Sequence, residues 1–183
     1  LFINSNEINY DVINKLITSK TDSEIIDNLG NIYKVKEFEY SVEKKVIKLN
    51  QLIAFDANKN SFIVDLAYMD LKKGDLIAKD VDLNFKISEN SENEPRLKGR
   101  SLISDENSTI VKKGTFTFCK KREKCPPWEM SAEEIRHDKK KKTINYKNAS
   151  LKIYDQKVFY FPKFFHPDPT VKRQTGFLVP KLQ

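Results

Sequence analysis

Apolar and polar positions alternate with period 2 along much of the chain, the spacing of a strand that buries one face. Glu7-Ile8-Asn9-Tyr10, Glu37-Phe38-Glu39-Tyr40, Gly114-Thr115-Phe116-Thr117-Phe118 and Ser150-Leu151-Lys152-Ile153 all carry it, whereas helical periodicity is poor. Polar turns separate such runs at Asn14-Lys15, Asn28-Leu29-Gly30-Asn31, Glu43-Lys44-Lys45, Asp56-Ala57-Asn58-Lys59-Asn60 and Lys72-Lys73-Gly74-Asp75. A turn every 15 residues or so leaves room for a strand of roughly ten residues and a tight connection. The pattern predicts an all-β meander of long antiparallel strands. Ser88-Glu89-Asn90-Ser91-Glu92-Asn93-Glu94-Pro95 has no apolar member, and it reads as a surface loop within one continuous sheet system.

A short repeat underlies the alternation. Glu7-Ile8-Asn9-Tyr10-Asp11 through Lys15-Leu16-Ile17 matches Glu37-Phe38-Glu39-Tyr40-Ser41 through Lys45-Val46-Ile47, and Glu134-Ile135-Arg136-His137-Asp138 through Lys142-Thr143-Ile144. Each copy runs acidic, apolar, polar, aromatic, then through a polar turn to Lys and two residues that resume the strand. Leu66-Ala67-Tyr68-Met69-Asp70 through Leu76-Ile77 is a looser copy. Repeats of this size imply strands stacked in rungs, each burying its apolar face on the next.

At 183 residues the chain has room for one medium domain, or one domain with a short appendage. No apolar run reaches the roughly 18 residues of a transmembrane helix. The chain starts at Leu1 with no charged-then-apolar leader, so any signal peptide is expected to be removed or omitted. The net charge of +7 suits anionic partners such as nucleic acid, phosphorylated lipid or a membrane surface. The densest basic run, Lys139 to Lys142, fits a solvated hairpin tip.

Catalytic chemistry finds little support. The two histidines, His137 and His166, lie in no zinc-binding or triad-like motif, and neither a dinucleotide fingerprint nor a P-loop occurs. His137 takes the aromatic position of the repeat. His166 lies in His166-Pro167-Asp168-Pro169, where two prolines suit a rigid turn. Cys119 and Cys125 lack redox-motif spacing, and with the two histidines they would make an irregular zinc set. In an oxidising compartment they could pair with each other or outside this stretch. No metal or cofactor is expected, and the chain is read as a non-enzyme. Nucleic-acid stacking by exposed aromatics is disfavoured, because the aromatics alternate among Ile, Val and Leu.

The apolar faces allow another use. If the sheet is open along one side, its inner face forms a greasy groove that needs a ligand or partner. Sheltering a ten-carbon acyl chain is worth about 8 kcal/mol at ~0.8 kcal/mol per methylene. Alternation selects Ile8, Tyr10, Phe38, Tyr40, Phe62, Val64, Phe116, Phe118, Ile135, Ile144, Leu151 and Ile153 as lining residues, with Thr117 and Lys152 facing out. An ordinary filled core has the same periodicity.

Particular residues carry a resemblance. Phe116-Thr117-Phe118-Cys119, Trp128, Ala132-Glu133-Glu134-Ile135-Arg136-His137-Asp138, Asn148-Ala149-Ser150-Leu151-Lys152-Ile153, Val158-Phe159-Tyr160-Phe161-Pro162 and Lys172-Arg173-Gln174-Thr175-Gly176-Phe177-Leu178-Val179-Pro180 resemble the periplasmic domain of the LptD (organic solvent tolerance, OstA) family of lipopolysaccharide-assembly proteins. The ordered match runs from about Leu97 to Pro180; residues 1–90 share only the looser strand–turn repeat. The resemblance implies a β-jellyroll or taco over residues 1–170, and a junction at 171–183 leading to an outer-membrane barrel. It implies that the interior carries lipopolysaccharide acyl chains, and that the N-terminal edge accepts an LptA-like bridge by strand addition. The LptE lipoprotein would plug the barrel, at the periplasmic face of the outer membrane of a Gram-negative bacterium. Pro162, Pro167, Pro169, Gly176 and Phe177 would mark the junction and a lateral opening. Cys119 takes the place of a family cysteine bonded to the far end of the barrel; Cys125 departs from the family pattern and keeps a mutual bond open. An LptA- or LptC-like bridge or filament module with a filled core is the alternative.

Overall fold

The computed structural model describes residues 2–26, 30–55, 60–84, 95–117 and 127–167, and every regular element among them is a β-strand. Six short strands come first: β1 (Phe2–Ser5), β2 (Asn9–Asp11), β3 (Leu16–Ser19), β4 (Ser23–Ile26), β5 (Ile32–Val35) and β6 (Glu37–Ser41). Eight longer ones follow: β7 (Val46–Phe55), β8 (Ser61–Asp70), β9 (Leu76–Asn84), β10 (Arg96–Ser104), β11 (Ser108–Thr117), β12 (Trp128–Asp138), β13 (Thr143–Ile153) and β14 (Gln156–Pro167). All pair antiparallel in a single open sheet that runs without a break from β7 to β14. The all-β jellyroll architecture expected from the sequence is the one observed.

The sheet forks at β7. β1, β4 and β5 form one arm, joined to the C-terminal half of β7, while β2, β3 and β6 form the other, joined to its N-terminal half. These arms continue through β14 as two walls meeting along a crease, wall A carrying β2, β3 and β6 and wall B carrying β1, β4 and β5. In the short strands the crease interrupts the chain: only Lys36 separates β5 from β6.

In the long strands the crease is written as a break in the alternation. Two consecutive residues face out, so the inward residues on either side lie three positions apart. The pairs are Leu49 and Leu52, Val64 and Ala67, Ala78 and Val81, Val111 and Gly114, Ala132 and Ile135, and Tyr146 and Ala149, all buried, with polar or half-exposed residues between. On every second strand one of the outward pair is left-handed: Gln51, Asp80, Lys113 and Asn148 have φ between 50° and 52°. Such backbone turns both halves of a strand toward the same interior, at some cost in intrinsic preference. The first layer against the crease on wall A runs Phe38, Leu49, Ala67, Ala78, Leu102, Val111, Ile135, Tyr146, each paired with the next.

Contacts across the crease show how sharply the sheet is folded. Three residues along a strand span about 10 Å on a flat sheet. A Cβ built on Gly99 of wall B would nevertheless lie 2.2 Å from Val111 Cγ1 of wall A, and one on Gly114 would lie 2.6 Å from Ile135 Cδ1. These glycines sit inside strands because the opposite wall takes the space of their side chains. At the N-terminal end the apolar layer gives way to hydroxyls. Ser5 Oγ lies 2.9 Å from Ser19 Oγ, and Ser23 Oγ lies 2.9 and 3.2 Å from Ser5 and Ser19. With Ser19 and Ser23 at 1% and 5% exposure, this closed network satisfies groups that would be costly to bury alone.

The repeat seen in the sequence is a stack of hairpin turns on the free lip of wall A. Asp11 accepts the backbone N–H groups of Ile13 and Asn14, Asp70 those of Lys72 and Lys73, and Asp138 those of Lys140 and Lys141, all at 2.8–3.1 Å. Ser41 Oγ accepts from Lys44 N–H. The residue that ends each turn is left-handed: Lys15, Lys45, Gly74 and Lys142. Successive turns are tied by Val42 N–H to Lys15 O at 3.0 Å and Leu71 N–H to Lys45 O at 2.9 Å. The recurring Asp and Lys are therefore explained by turn geometry.

Two predictions follow from these contacts. Val111 is β-branched and stiff, whereas Ile135 meets Gly114 with its flexible terminal methyl, so Gly99→Ala destabilises more than Gly114→Ala. Overpacking of this kind costs about 1–3 kcal/mol, and Val111→Ala should restore much of the Gly99→Ala loss in urea unfolding. Equal costs at the two glycines would contradict the close approach. The second concerns acid. Backbone N–H groups, chiefly those of Asn14, Lys73, Ser108 and Lys141, hold the carboxyls of Asp11, Asp70, Asp105 and Asp138 below the ordinary 3.8. A lowered folded-state pKa gives stability that is present above the unfolded value and lost as pH falls through the folded one. The fourfold Asp→Asn variant should flatten the loss of stability between about pH 5 and pH 2; an unchanged slope would show that these turns do not govern it.

Candidate functional site

The candidate site is the space between the walls, built as two layers. Its base, along the crease, is filled: Leu49, Leu52, Val64, Val81, Leu102 and Val111 are each 3% exposed or less. Above the base, each wall carries a lip row that is buried at Ile25 and Ala54 on one wall and at Ile47 on the other, and half-buried or exposed elsewhere. On wall B the row is apolar on every strand it crosses: Ile3, Ile25, Tyr33, Ala54, Phe62, Leu83, Leu97, Phe116, Met130, Leu151, Phe159. That is one residue from each of the eleven strands in the path from β1 to β14. A register slip of one residue on any strand would break it.

The facing lip on wall A changes character along its length. It runs Tyr10, Ile17, Tyr40, Ile47, Met69, Leu76, and then Ser104, Thr109, His137, Ile144, His166. The slot is apolar on both lips toward its N-terminal end and apolar-against-polar toward β14. His166 joins this lip to the base. Its Nδ1 lies 2.6 Å from Pro167 O, and a carbonyl only accepts, so Nδ1 carries the hydrogen and Nε2 accepts from Tyr146 Oη at 3.0 Å. Burial pushes the Tyr146 phenol well above its ordinary range, so it stays a donor.

At the β14 end an aromatic stack spans both walls. Phe161 and Phe164 have ring centroids 5.6 Å apart, Phe159 lies 6.3 Å from Phe161, and Tyr146 lies 5.7 Å from Phe164. Phe159 is 62% exposed, since among the described residues β14 is the last strand of the sheet. Pro162 falls in the crease row of this edge strand, where a missing N–H costs no ladder bond. Pro167 is the last residue of β14.

Among the residues selected by alternation, Phe38, Val64 and Ile135 belong to the base, and Tyr10, Tyr40, Phe62, Phe116, Ile144 and Leu151 to the lips. Tyr10 is 55% exposed on the edge strand β2. Ile8 precedes β2 and Ile153 ends β13, both substantially exposed. Phe118, Cys119, Cys125, Pro169, Gly176, Phe177 and the 171–183 junction lie outside the described residues. Thr117, expected to face out, is 5% exposed and donates to Trp128 O at 2.7 Å; the Trp128 ring packs edge-on to its neighbour Phe116 at 6.4 Å. Lys152 points away from the slot into an ion pair with Glu129 at 2.9 Å. Sequence reasoning passed over Leu83, Leu97 and Met130. Counting back from the hairpin turns, rather than scoring each run separately, would have found them.

Among the described residues a concavity of about 750 Å³ lies on the outward face of wall B. Charged residues such as Asp22, Glu24, Lys34 and Asp82 line it together with the apolar Ile53 and Ile63. Among the described residues no group of three or more His, Cys, Asp or Glu side chains gathers as a metal site would require.

No protein-family model matches the sequence. Over 84 residues, 44% of this chain, it is 36% identical to the LPS-assembly protein LptD of Shewanella denitrificans.

That match covers 10% of the length of the relative, and it supports an LptD-related origin for part of the chain. An open, two-walled antiparallel sheet with an apolar interior is the architecture that the resemblance to the LptD family implied.

Proposed function

We propose that this chain is a non-enzymatic segment of a lipopolysaccharide transport route, and that the slot between its walls shelters the acyl chains. The supporting observation is the unbroken apolar lip of wall B. A row extending across eleven strands offers a chain of similar sites with no deep well, so a hydrocarbon can move along it without a large barrier. The filled base sets the depth: acyl chains lie between the lips, above Leu52, Val64 and Val111, and do not reach the crease. Because most lip residues are already half-buried, and Ile25, Ile47 and Ala54 wholly so, binding gains only part of the ~0.8 kcal/mol per methylene available from full transfer, which favours passage over retention.

The free edges fit the same reading. Among the described residues β1 and β2 at one end and β14 at the other each have one edge without a neighbouring strand, the substrate of strand addition. An LptA-like bridge would dock on β1 and β2, and β14 would face the next stage, with an LptE-plugged barrel at the periplasmic face of the outer membrane. A bridge or filament module with a closed core shares these edges but needs no access between the lips.

Photo-crosslinking separates the two readings. Probes at Leu97 and Met130 face the slot, whereas their neighbours Lys98 and Ser131 face out. Purified lipopolysaccharide should be captured at the first pair at least about tenfold more than at the second. Equal capture at both pairs rules out the slot, and no capture at either favours the filament module.

A further inference from the structure

The outward face of wall A carries exposed apolar side chains in two places: Phe165 on the edge strand β14, 68% exposed, and a cross-strand band farther into the sheet. Tyr68, Ile77, Ile103 and Ile110 are successive cross-strand neighbours on β8 to β11, and the first three are 42%, 56% and 47% exposed. Single exposed apolar residues need no explanation, but four in register form a band roughly 14 Å wide at ~4.8 Å per strand spacing. Cations bracket it. The row continues to Lys48 beside Tyr68 and to Arg136 beside Ile110, and Lys48 Nζ sits 6.0 Å from the Tyr68 ring centroid. Toward the lip the β8–β9 turn adds Lys72 and Lys73, both exposed. On the crease side Lys112 pairs with Glu134 and Lys79 with Asp80 at 3.6 Å.

The placement limits what could cover this band. It lies mid-sheet, where all backbone groups are paired with neighbouring strands, so strand addition is impossible and the partner must present a flat face. A second copy related by a two-fold axis would set Lys48 and Arg136 against the same cations of its mate. A bilayer bearing anionic head groups meets both requirements, taking the apolar band at its interface and the flanking cations at its phosphates. We propose that the outward face of wall A rests on an anionic membrane surface. The inference uses the opposite face from the slot and does not depend on its contents.

The test is co-flotation of the full chain with vesicles of phosphatidylethanolamine and phosphatidylglycerol, against vesicles of phosphatidylcholine. Binding should require the anionic lipid and fall with added salt. The neutral double variant Ile77→Ser/Ile103→Ser should lower it about tenfold, and Lys48→Gln/Arg136→Gln should reduce its salt dependence. Circular dichroism and a melting curve show whether each variant is folded, and Ile110→Ser serves as a milder substitute if the double variant is not. Binding unchanged by the isoleucine variants, or equal on phosphatidylcholine, overturns the proposal. So does a dimer in sedimentation that the isoleucine variants dissolve, which would give the band to a second copy.

Discussion

Everything in this fold depends on how each strand crosses the crease. A β-strand that alternates strictly has one apolar face, and a sheet of such strands is flat or gently twisted, with that face open to water. Here each long strand spends two consecutive residues on the outward side, and half of these crossings use a left-handed residue such as Gln51 or Lys113. The result is one chain with two inward-facing halves, and the sheet closes on itself without a second sheet. The energetic return is the burial of two apolar layers against each other. The steric condition is that side chains from the two walls must not compete for the same space, which Gly99 and Gly114 meet by having none.

That arrangement also grades the interior by depth. Close to the crease the walls are near enough to exclude everything, and Leu52 and Val64 are packed as in any core. Farther out most side chains are only half covered, as at Phe62, Leu97 and Met130. A fold of this kind has a stable base and a yielding mouth, so stability and access are assigned to different residues. The polar turn into β14 on wall A, from Ser104 to His166, means that the mouth is also graded along its length.

Much of this was legible in the sequence, though unevenly. Turn positions were clear, because Asp, Lys and Gly at fixed offsets reflect local hydrogen bonding and a local need for positive φ. The repeat around Tyr10, Tyr40 and His137 proved to be the signature of those turns and of the lip beside them: in each copy the aromatic is the cross-strand partner of the second residue after the turn, Ile17, Ile47 or Ile144. Less visible were Leu97 and Met130, which belong to a row defined only by register between strands. That Thr117 is 5% exposed and bonded to Trp128 O was equally invisible, since it depends on a strand reached through a separate stretch of chain. Nor does alternation reveal that Gly99 and Gly114 are needed for their missing side chains, since the atoms that would clash belong to the opposite wall.

By itself, then, the sequence determined what is local: the strand period, the positions and chemistry of the hairpin turns, the all-β class and the absence of helical periodicity. Each follows from interactions within a few residues. The tertiary structure alone decided that the two halves of each long strand face the same interior, that the base is fully packed while most lip residues are not, and that Tyr68, Ile77, Ile103 and Ile110 form one band on the outside. These depend on which residues of different strands lie side by side. Alternation says that a residue points to one face; only the pairing of neighbouring strands and the fold at the crease say what that face meets.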